Sequence, residues 1–345
     1  MNRHSRRTIL WLGFASLLAT PLSFSAPAPA LEKRDITMAV GGIGVLYYLP
    51  FAIAERRGYF RDEGLNVKIV DFPGGAKALQ ALVGGSADLV SGSFEHVLQM
   101  QAKGQPIQSI VTQGEIPGLA LMVPRDKAAS WRSPADLKGL KVGVSAPGSG
   151  THLFLNALLA KANLKPDAVS AIGVGTGATA IAALESGQID ALVSVDPSLS
   201  VLERNGTGVA VVDTRKLSDT KAVYGGSYAA GSIYAKTDFI QKNPKTAQAV
   251  ANAMVRALAW LKQASPQQIV AAVPPSFYGK NPAIYQQALV KSMPSYTADG
   301  VMTAEAARNV YQSLLASNPA LRRVQPEHSY DNRFALKAAK QIAKP

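Results

Sequence analysis

The chain contains no cysteine. That absence removes a disulfide framework, a thiolate metal site and a cysteine nucleophile together, along with the cysteine that would anchor a bacterial lipoprotein. Histidine is nearly as scarce: His4, His96, His152 and His328 are the whole set, and no two stand at the spacing of a helical metal pair. No Gly-Lys-Ser/Thr occurs where a Walker loop needs it, and "GVSAP" (143–147) lacks the second glycine of a nucleophile elbow. Glu95-His96 would need a distant serine that nothing in the sequence places. A cofactor, a metal or a catalytic triad is therefore not expected.

Long apolar runs are missing too. The run from Ile9 to Leu18 is about ten residues, where a membrane span needs ~20. Arg3, Arg6 and Arg7 precede it and Ala28-Pro29-Ala30 follow it. Residues 1–30 therefore read as an export signal cleaved after Ala30. Ser5-Arg6-Arg7-Thr8-Ile9-Leu10 fits a twin-arginine signal and a general secretory one equally. The expected product is a soluble periplasmic protein without a lipid anchor. Formal net charge is +13, yet the basic residues are dispersed, with nothing longer than pairs such as Arg56-Arg57 and Arg322-Arg323. Nucleic acid is not an expected partner; a mild attraction for anions is.

What is present is a globular composition, 47% hydrophobic and 17% charged over 345 residues, enough for two cores. "DITMAV" (35–40), "LNVKIVDF" (65–72) and "ADLVSG" read as strands separated by glycine-bearing loops and helices. "LKVGVSA", "VSAIGV" and "DALVSV" repeat the pattern from residue 140. Within it, "GAKALQALVGGSADLV" (75–90) and "GATAIAALESGQIDALV" (from 177) are the same helix-turn-strand unit, 102 positions apart. Gly75 and Gly177 suit a tight turn into the helix, Gly85 and Gly187 a left-handed helix end, and Asp88 and Asp190 a turn carboxylate.

The predicted architecture is α/β, with two lobes, each a doubly wound, mostly parallel sheet with helices on both faces. Lobe 1 is discontinuous, 31–118 and 236–345, and lobe 2 is 119–235. Crossovers are expected around 114–124 and 224–236. Four late helices, including "PKTAQAVANAMVRALAWLKQ", cover the lobes.

Open α/β sheets bind ligands at the carboxyl ends of their strands, where helix N-termini favour anions. The loops there offer Gly44 and Tyr47, Ser91, Ser93 and Phe94, then Ser145, Ser149, Gly150 and Thr151, then Thr176 and Asp196. Gln113, beside the first crossover, joins this candidate set. Lys77 is expected to point away along its helix. "GVGTGA" (173–178), with Asp196 about twenty residues on, also satisfies a dinucleotide fingerprint, which recurs by chance in glycine-rich loops.

"YYLPFAIAERRGYFRDEGLNVKIVDFPGGAKALQALVGGSADLVSGS" resembles the start of nitrate/sulfonate/taurine-type periplasmic substrate-binding proteins of ABC importers. So do "SPADLKGLKVGVSAPGSGTHLFL" and "ALESGQIDALVSVDPSLSVLE". The resemblance spans most of the chain after residue 30. It implies a periplasmic binding protein type II fold, hinge closure on a small anionic or zwitterionic ligand, an inner-membrane permease as partner, and a monomer. It places Tyr47, Ser93, Phe94, Ser149, Thr151 and Asp196 on cleft loops, with Asp196 a candidate acceptor for a ligand ammonium. Related pyrimidine binders and yeast pyrimidine synthases carry a cysteine-rich motif that this chain lacks. A thiamine-precursor pyrimidine, bound or made, is the alternative. An effector domain of a transcription regulator shares the two-lobe plan but would carry a DNA-binding segment at residues 1–30.

Overall fold

The structure is a computed structural model describing residues 30–279 and 281–343, so the export-signal reading lies, but for Ala30, outside the described residues. Within them the strands are β1 (Asp35–Val40), β2 (Asn66–Asp71), β3 (Leu89–Ser93), β4 (Ile107–Thr112), β5 (Leu119–Pro124), β6 (Lys141–Val144), β7 (Ser170–Gly173), β8 (Ala191–Val195), β9 (Gly208–Asp213) and β10 (Gly231–Lys236). They form two sheets, ordered β2-β1-β3-β10-β4 and β7-β6-β8-β5-β9. The orders are the same word written twice: second, first, third, arriving strand, fourth. No described helix is long and apolar enough to cross a membrane.

The arriving strand is the antiparallel one in each sheet. β5 runs against β8 and β9, and β10 against β3 and β4, while the remaining pairs are parallel. Both strands enter from the other sheet, β5 directly after β4 and β10 after β9 and the short helix Leu217–Tyr224. The two connecting segments are bonded to each other: Ala230 N–H donates to Gly114 O at 2.9 Å and Tyr228 N–H to Glu115 O at 2.9 Å. A paired two-strand connection bends more easily than it shears, as a hinge must.

Two expectations need correction. β10 pairs within the first sheet, so the chain has re-entered the first lobe by Gly231 and not at 236; the β-prone run in "YGGSYAAGSIYAK" is a ladder strand. The three strands expected per lobe become five, because each sheet also takes in an arriving strand, β10 or β5, and an edge strand, β4 ("IQSIVT") or β9 ("GVAVVD"). Neither is followed by the glycine loop and helix that mark the others. The long helix Pro244–Gln263 has its expected bounds, and Ala249, Met254, Leu258 and Leu261 are buried as their spacing requires.

The repeated aspartates have one shared job. Asp88 N–H donates to Thr37 O at 2.8 Å, and the Asp88 carboxylate accepts from Thr37 N–H at 2.9 Å. Asp190 does the same to Lys141, at 2.8 Å in both directions. Each aspartate clamps the first strand of its lobe to the central strand where that strand begins, the side chain adding one rung to the ladder. The helix before each ends on a glycine at positive φ, 79° at Gly85 and 71° at Gly187. Nothing crowds either Cα, so backbone conformation alone selects glycine there.

A bond from a backbone N–H to a carboxylate is worth about 1.5–3 kcal/mol at most, less where water competes. Asp88→Ala should lose about 1–2 kcal/mol in urea denaturation. Asp190→Ala, more exposed and without the Lys33 ion pair that Asp88 makes at 2.6 Å, should lose less. Equal stability of both variants and the parent would remove the clamp from this account.

Candidate functional site

The carboxyl ends of β1, β3, β6 and β8 face each other across the interval between the sheets, and a cavity of about 30 Å³ lies there. That holds one or two waters. Seven of the twelve predicted residues line it: Tyr47 and Ser93 from the first lobe, Ser145, Ser149, Gly150, Thr151 and Thr176 from the second.

Glycine lets the walls come this close. A Cβ on Gly150 would lie 2.2 Å from Ser93 Oγ, one on Gly74 3.0 Å from the Ala146 Cβ, and one on Gly42 2.8 Å from Thr176 Oγ1. All three approaches cross between lobes. Hydrogen bonds cross with them: Ala76 N–H donates to Ser149 Oγ at 2.9 Å, and Leu46 N–H to Asp196 O at 2.8 Å. His96 lies 3.1 Å from Gly148 O through Nε2 and 3.1 Å from Tyr234 Oη through Nδ1. Since a carbonyl only accepts, Nε2 carries the proton and Nδ1 accepts from the tyrosine. Burial pushes this imidazole down to about 4, so it stays neutral.

The helices Gly75–Val83 and Gly150–Lys161 start at the cavity wall. The Gly75, Gly150 and Thr151 amides belong to first turns and have no intrahelical acceptor. The Thr151 hydroxyl accepts from Ser145 N–H at 2.9 Å and meets Ser145 Oγ at 2.9 Å, fixing that loop. Among the described residues no Arg, Lys, Asp or Glu lines the cavity, and Lys77 is exposed. The walls therefore offer hydroxyls, amides and two aligned helix ends without a formal cation. No group of three or more His, Asp or Glu able to hold a metal occurs among the described residues.

Five predicted residues stand elsewhere. Phe94 is fully buried in the apolar core with Val97 and Tyr228. Its place in a loop sequence hid that β3 runs directly into the next helix, turning the ring inward. Ser91 and Gln113 satisfy each other, Gln113 Nε2 donating to Ser91 Oγ at 3.0 Å behind the cavity. Gly44 is part-exposed, nearest Phe277. Asp196 is 1% exposed and lines a separate cavity of about 20 Å³ by the crossovers. Its carboxylate accepts from Ser200 N–H at 2.9 Å and pairs with Arg215 at 3.4 Å. That carboxylate is thus bonded within its own lobe and stands outside the cavity lined by the other predicted residues. Tyr48, Leu119, Val193 and Ser194 line the cavity without having been anticipated. Val193 and Ser194 lie on a strand buried along its whole length, where period-two alternation does not say which face meets a ligand.

A family model described as NMT1/THI5 like matches residues 46–269. A solved structure from Bordetella bronchiseptica RB50 is 46% identical, covering 91% of this chain and 99% of its own, with a TM-score of 0.88. The alkanesulfonate-binding protein of Xanthomonas axonopodis pv. citri, solved with MOPS bound, is 21% identical over 88% of this chain and 100% of its own, TM-score 0.70. A protein of Escherichia coli (strain K12), provisionally named for binding aliphatic sulfonates, is 29% identical over 68% of this chain and 71% of its own. Fungal pyrimidine phosphate synthases also match, over two thirds of this chain or less. The fold expected from the resemblance, two mostly parallel α/β lobes of the periplasmic binding protein kind, is the fold observed.

Arg215, 6% exposed, holds Asp196, Glu203 at 2.5 Å and Asp213 at 2.6 Å at the edge of the second lobe. Burial works to lower its guanidinium, and the bonds from Asp213 and Glu203 more than reverse that. Removing a buried partner strands the charge left behind, at a cost of about 3–5 kcal/mol. Arg215→Ala should lose that much at pH 8. It should lose less at pH 4.5, because Asp196, which burial already raises, takes up a proton as pH falls once its cationic partner is gone. A loss independent of pH, read by chemical denaturation, would contradict the charge argument.

Proposed function

We propose, on the premise that this chain belongs to the NMT1/THI5-like family, that it is the periplasmic solute-binding component of an ABC importer. It captures a small organic oxyanion, a sulfonate above all, between its lobes and delivers it to an inner-membrane permease. One observation carries the reading: two helix N-termini and eight hydroxyl-bearing side chains from opposite lobes line a single cavity. Amide and hydroxyl donors at helix starts suit the spread charge of a sulfonate or carboxylate. The names of the sulfonate-binding relatives support the same ligand class.

Size favours an organic ligand over nitrate. Micromolar affinity needs ~8 kcal/mol, and even very efficient small ligands give ~1.5 kcal/mol per heavy atom. Four atoms reach only ~6 kcal/mol, although charge-assisted bonds can exceed this ceiling. The cavity of about 30 Å³ must widen to admit any of these ligands. Opening at the paired crossovers provides that, and preferential binding to the closed arrangement supplies the switch. A pyrimidine ligand on the same scaffold is supported by the fungal matches alone.

A thermal-shift panel of alkanesulfonates, carboxylates, nitrate and aminopyrimidines tests the reading. At 100 times its Kd a true ligand adds ~2.7 kcal/mol to stability. We expect 1-butanesulfonate to raise the melting temperature; a response to aminopyrimidines alone would move the assignment to the alternative.

Gly150→Ala gives a sharper test. Alanine suits a helix better than glycine, so the free protein should keep its stability, yet the new methyl meets Ser93 Oγ. Overpacking of this kind costs about 1–3 kcal/mol, about 5- to 150-fold in Kd. Adding Ser93→Gly should restore the scattering-derived compaction with ligand that Gly150→Ala removes. Undiminished binding by Gly150→Ala would show that the lobes need not approach this closely.

A further inference from the structure

Behind the cavity wall lies a carboxylate that the proposed function does not use. Glu95 opens the helix Glu95–Ala102 immediately after Ser93 and Phe94 and is 2% exposed. Tyr228 Oη, from the second crossover, donates to Oε1 at 3.2 Å, while Oε2 has no partner. The Ser93 hydroxyl, two residues before Glu95, works to lower this carboxyl against the effect of burial, and Ser93 Oγ lies 3.2 Å from Tyr47 Oη. Ser93 and Tyr47 both line the cavity. Two bonded hydroxyls, Tyr47 and Ser93, thus stand at the cavity wall in front of a buried acid, and the acid is bonded to Tyr228 of the second crossover. No ion pair reaches Glu95 among the described residues.

We propose that Glu95 is a positioning residue that makes anion capture in this cleft proton-coupled, one proton from solvent entering with each anion and resting on the unpartnered Oε2. The inference rests on the reading of the ligand as an anion. With Glu95 ionised, the Ser93 proton is held by the carboxylate and the Tyr47 proton by Ser93, so both hydroxyls turn oxygen lone pairs toward the cavity. Those lone pairs and the buried negative charge oppose a sulfonate. With Glu95 protonated, the charge is gone and the Ser93 and Tyr47 protons are released to donate into the cavity. The ligand remains ionised throughout; the O–H bond on Glu95 is the one bond formed, and the complex gains no net charge. Among the described residues no lining cation competes for the anion, so a neutralised Glu95 matters more here than beside an arginine.

The groups around Glu95 leave it to titrate alone near neutral pH. Burial pushes Glu95 itself up to about 7. It pushes Tyr47 and Tyr48 on the first loop, Tyr224 and Tyr228 on the crossover and Tyr234 on β10 further up, with Glu95 adding to each. Burial lowers His96, beside it on the helix, and His152 on the facing Gly150–Lys161 helix. Glu305 and Arg308 on the Ala304–Leu315 helix are exposed, and Arg323 bonds Ala102 O at the far end of the Glu95 helix.

Calorimetric titration with 1-butanesulfonate, ionised at every pH used, tests the coupling. At pH 8, comparison of two buffers of different ionisation enthalpy should show uptake approaching one proton per ligand. Between pH 7.5 and 9 the Kd should weaken about tenfold per pH unit, and below pH 6.5 it should be flat, as one-proton linkage requires. Glu95→Gln, a mimic of the protonated acid, should bind with the same Kd at pH 6 and pH 9. Binding by the parent with no proton uptake and no pH slope would overturn the inference while leaving the sulfonate reading in place. A slope that persists in Glu95→Gln would assign it to another group and overturn the inference too. No binding by either protein at pH 6 would instead remove the sulfonate reading, and this inference with it. The parent's proton count is read without the variant, so misfolding of Glu95→Gln leaves the test intact.

Discussion

The helices Gly75–Val83 and Gly150–Lys161 come from different lobes, and both present their N-termini to the same narrow space. Helix starts carry partial positive charge, so bringing two together is unfavourable unless negative density lies between them. In this structure Ser149 Oγ supplies some of it, accepting from Ala76 N–H across the lobe boundary. Much of the architecture follows from the need to bring these ends together and apart. Glycines at 42, 74 and 150 strip the walls of side chains at the tightest approaches, and two crossovers bonded to each other join the lobes. The sheets behind are held rigid by the same aspartate clamp in each lobe.

A cleft with no lining cation is an electrostatic choice. An arginine would bind an anion strongly but would hold it whatever the state of the hinge, and would discriminate little among anions. Amides and hydroxyls are weaker singly and depend on geometry, so they reach full strength only when both lobes contribute. The charged machinery sits just outside: Arg215 with its three carboxylates beside the crossovers, and Glu95 behind Ser93. From there charge acts through oriented dipoles and the hinge, without direct contact with the cavity.

Legibility in the sequence varied with how local the cause was. β1 and the Pro244–Gln263 helix have the bounds read from their patterns, because one buried strand and one amphipathic helix are decided by their own residues. Gly85 and Gly187 were legible for the same reason, the left-handed helix end being a property of a single φ. β4 and β9 were missed, since no helix follows β4 and no glycine loop follows β9, so neither carries the full strand-loop-helix mark. Phe94 and Asp196 were placed on the cleft by their position in loops, and the structure turned one into the core and gave the other to Arg215, residues whose partners lie elsewhere in the chain.

Composition and periodicity alone determined that this is a two-lobed α/β protein without cysteine, carrying its helix-turn-strand unit twice and placing hydroxyl-rich loops at strand ends. Only the tertiary structure decided which hydroxyls meet in one cavity, which aspartate clamps a strand and which satisfies an arginine, and that a glutamate lies unpaired behind the wall. Those outcomes depend on contacts between residues far apart in the chain, 133 positions in the case of Glu95 and Tyr228. Side-chain patterns record the face a residue turns to its own element, whereas burial against a distant partner is set by how the two sheets are brought together.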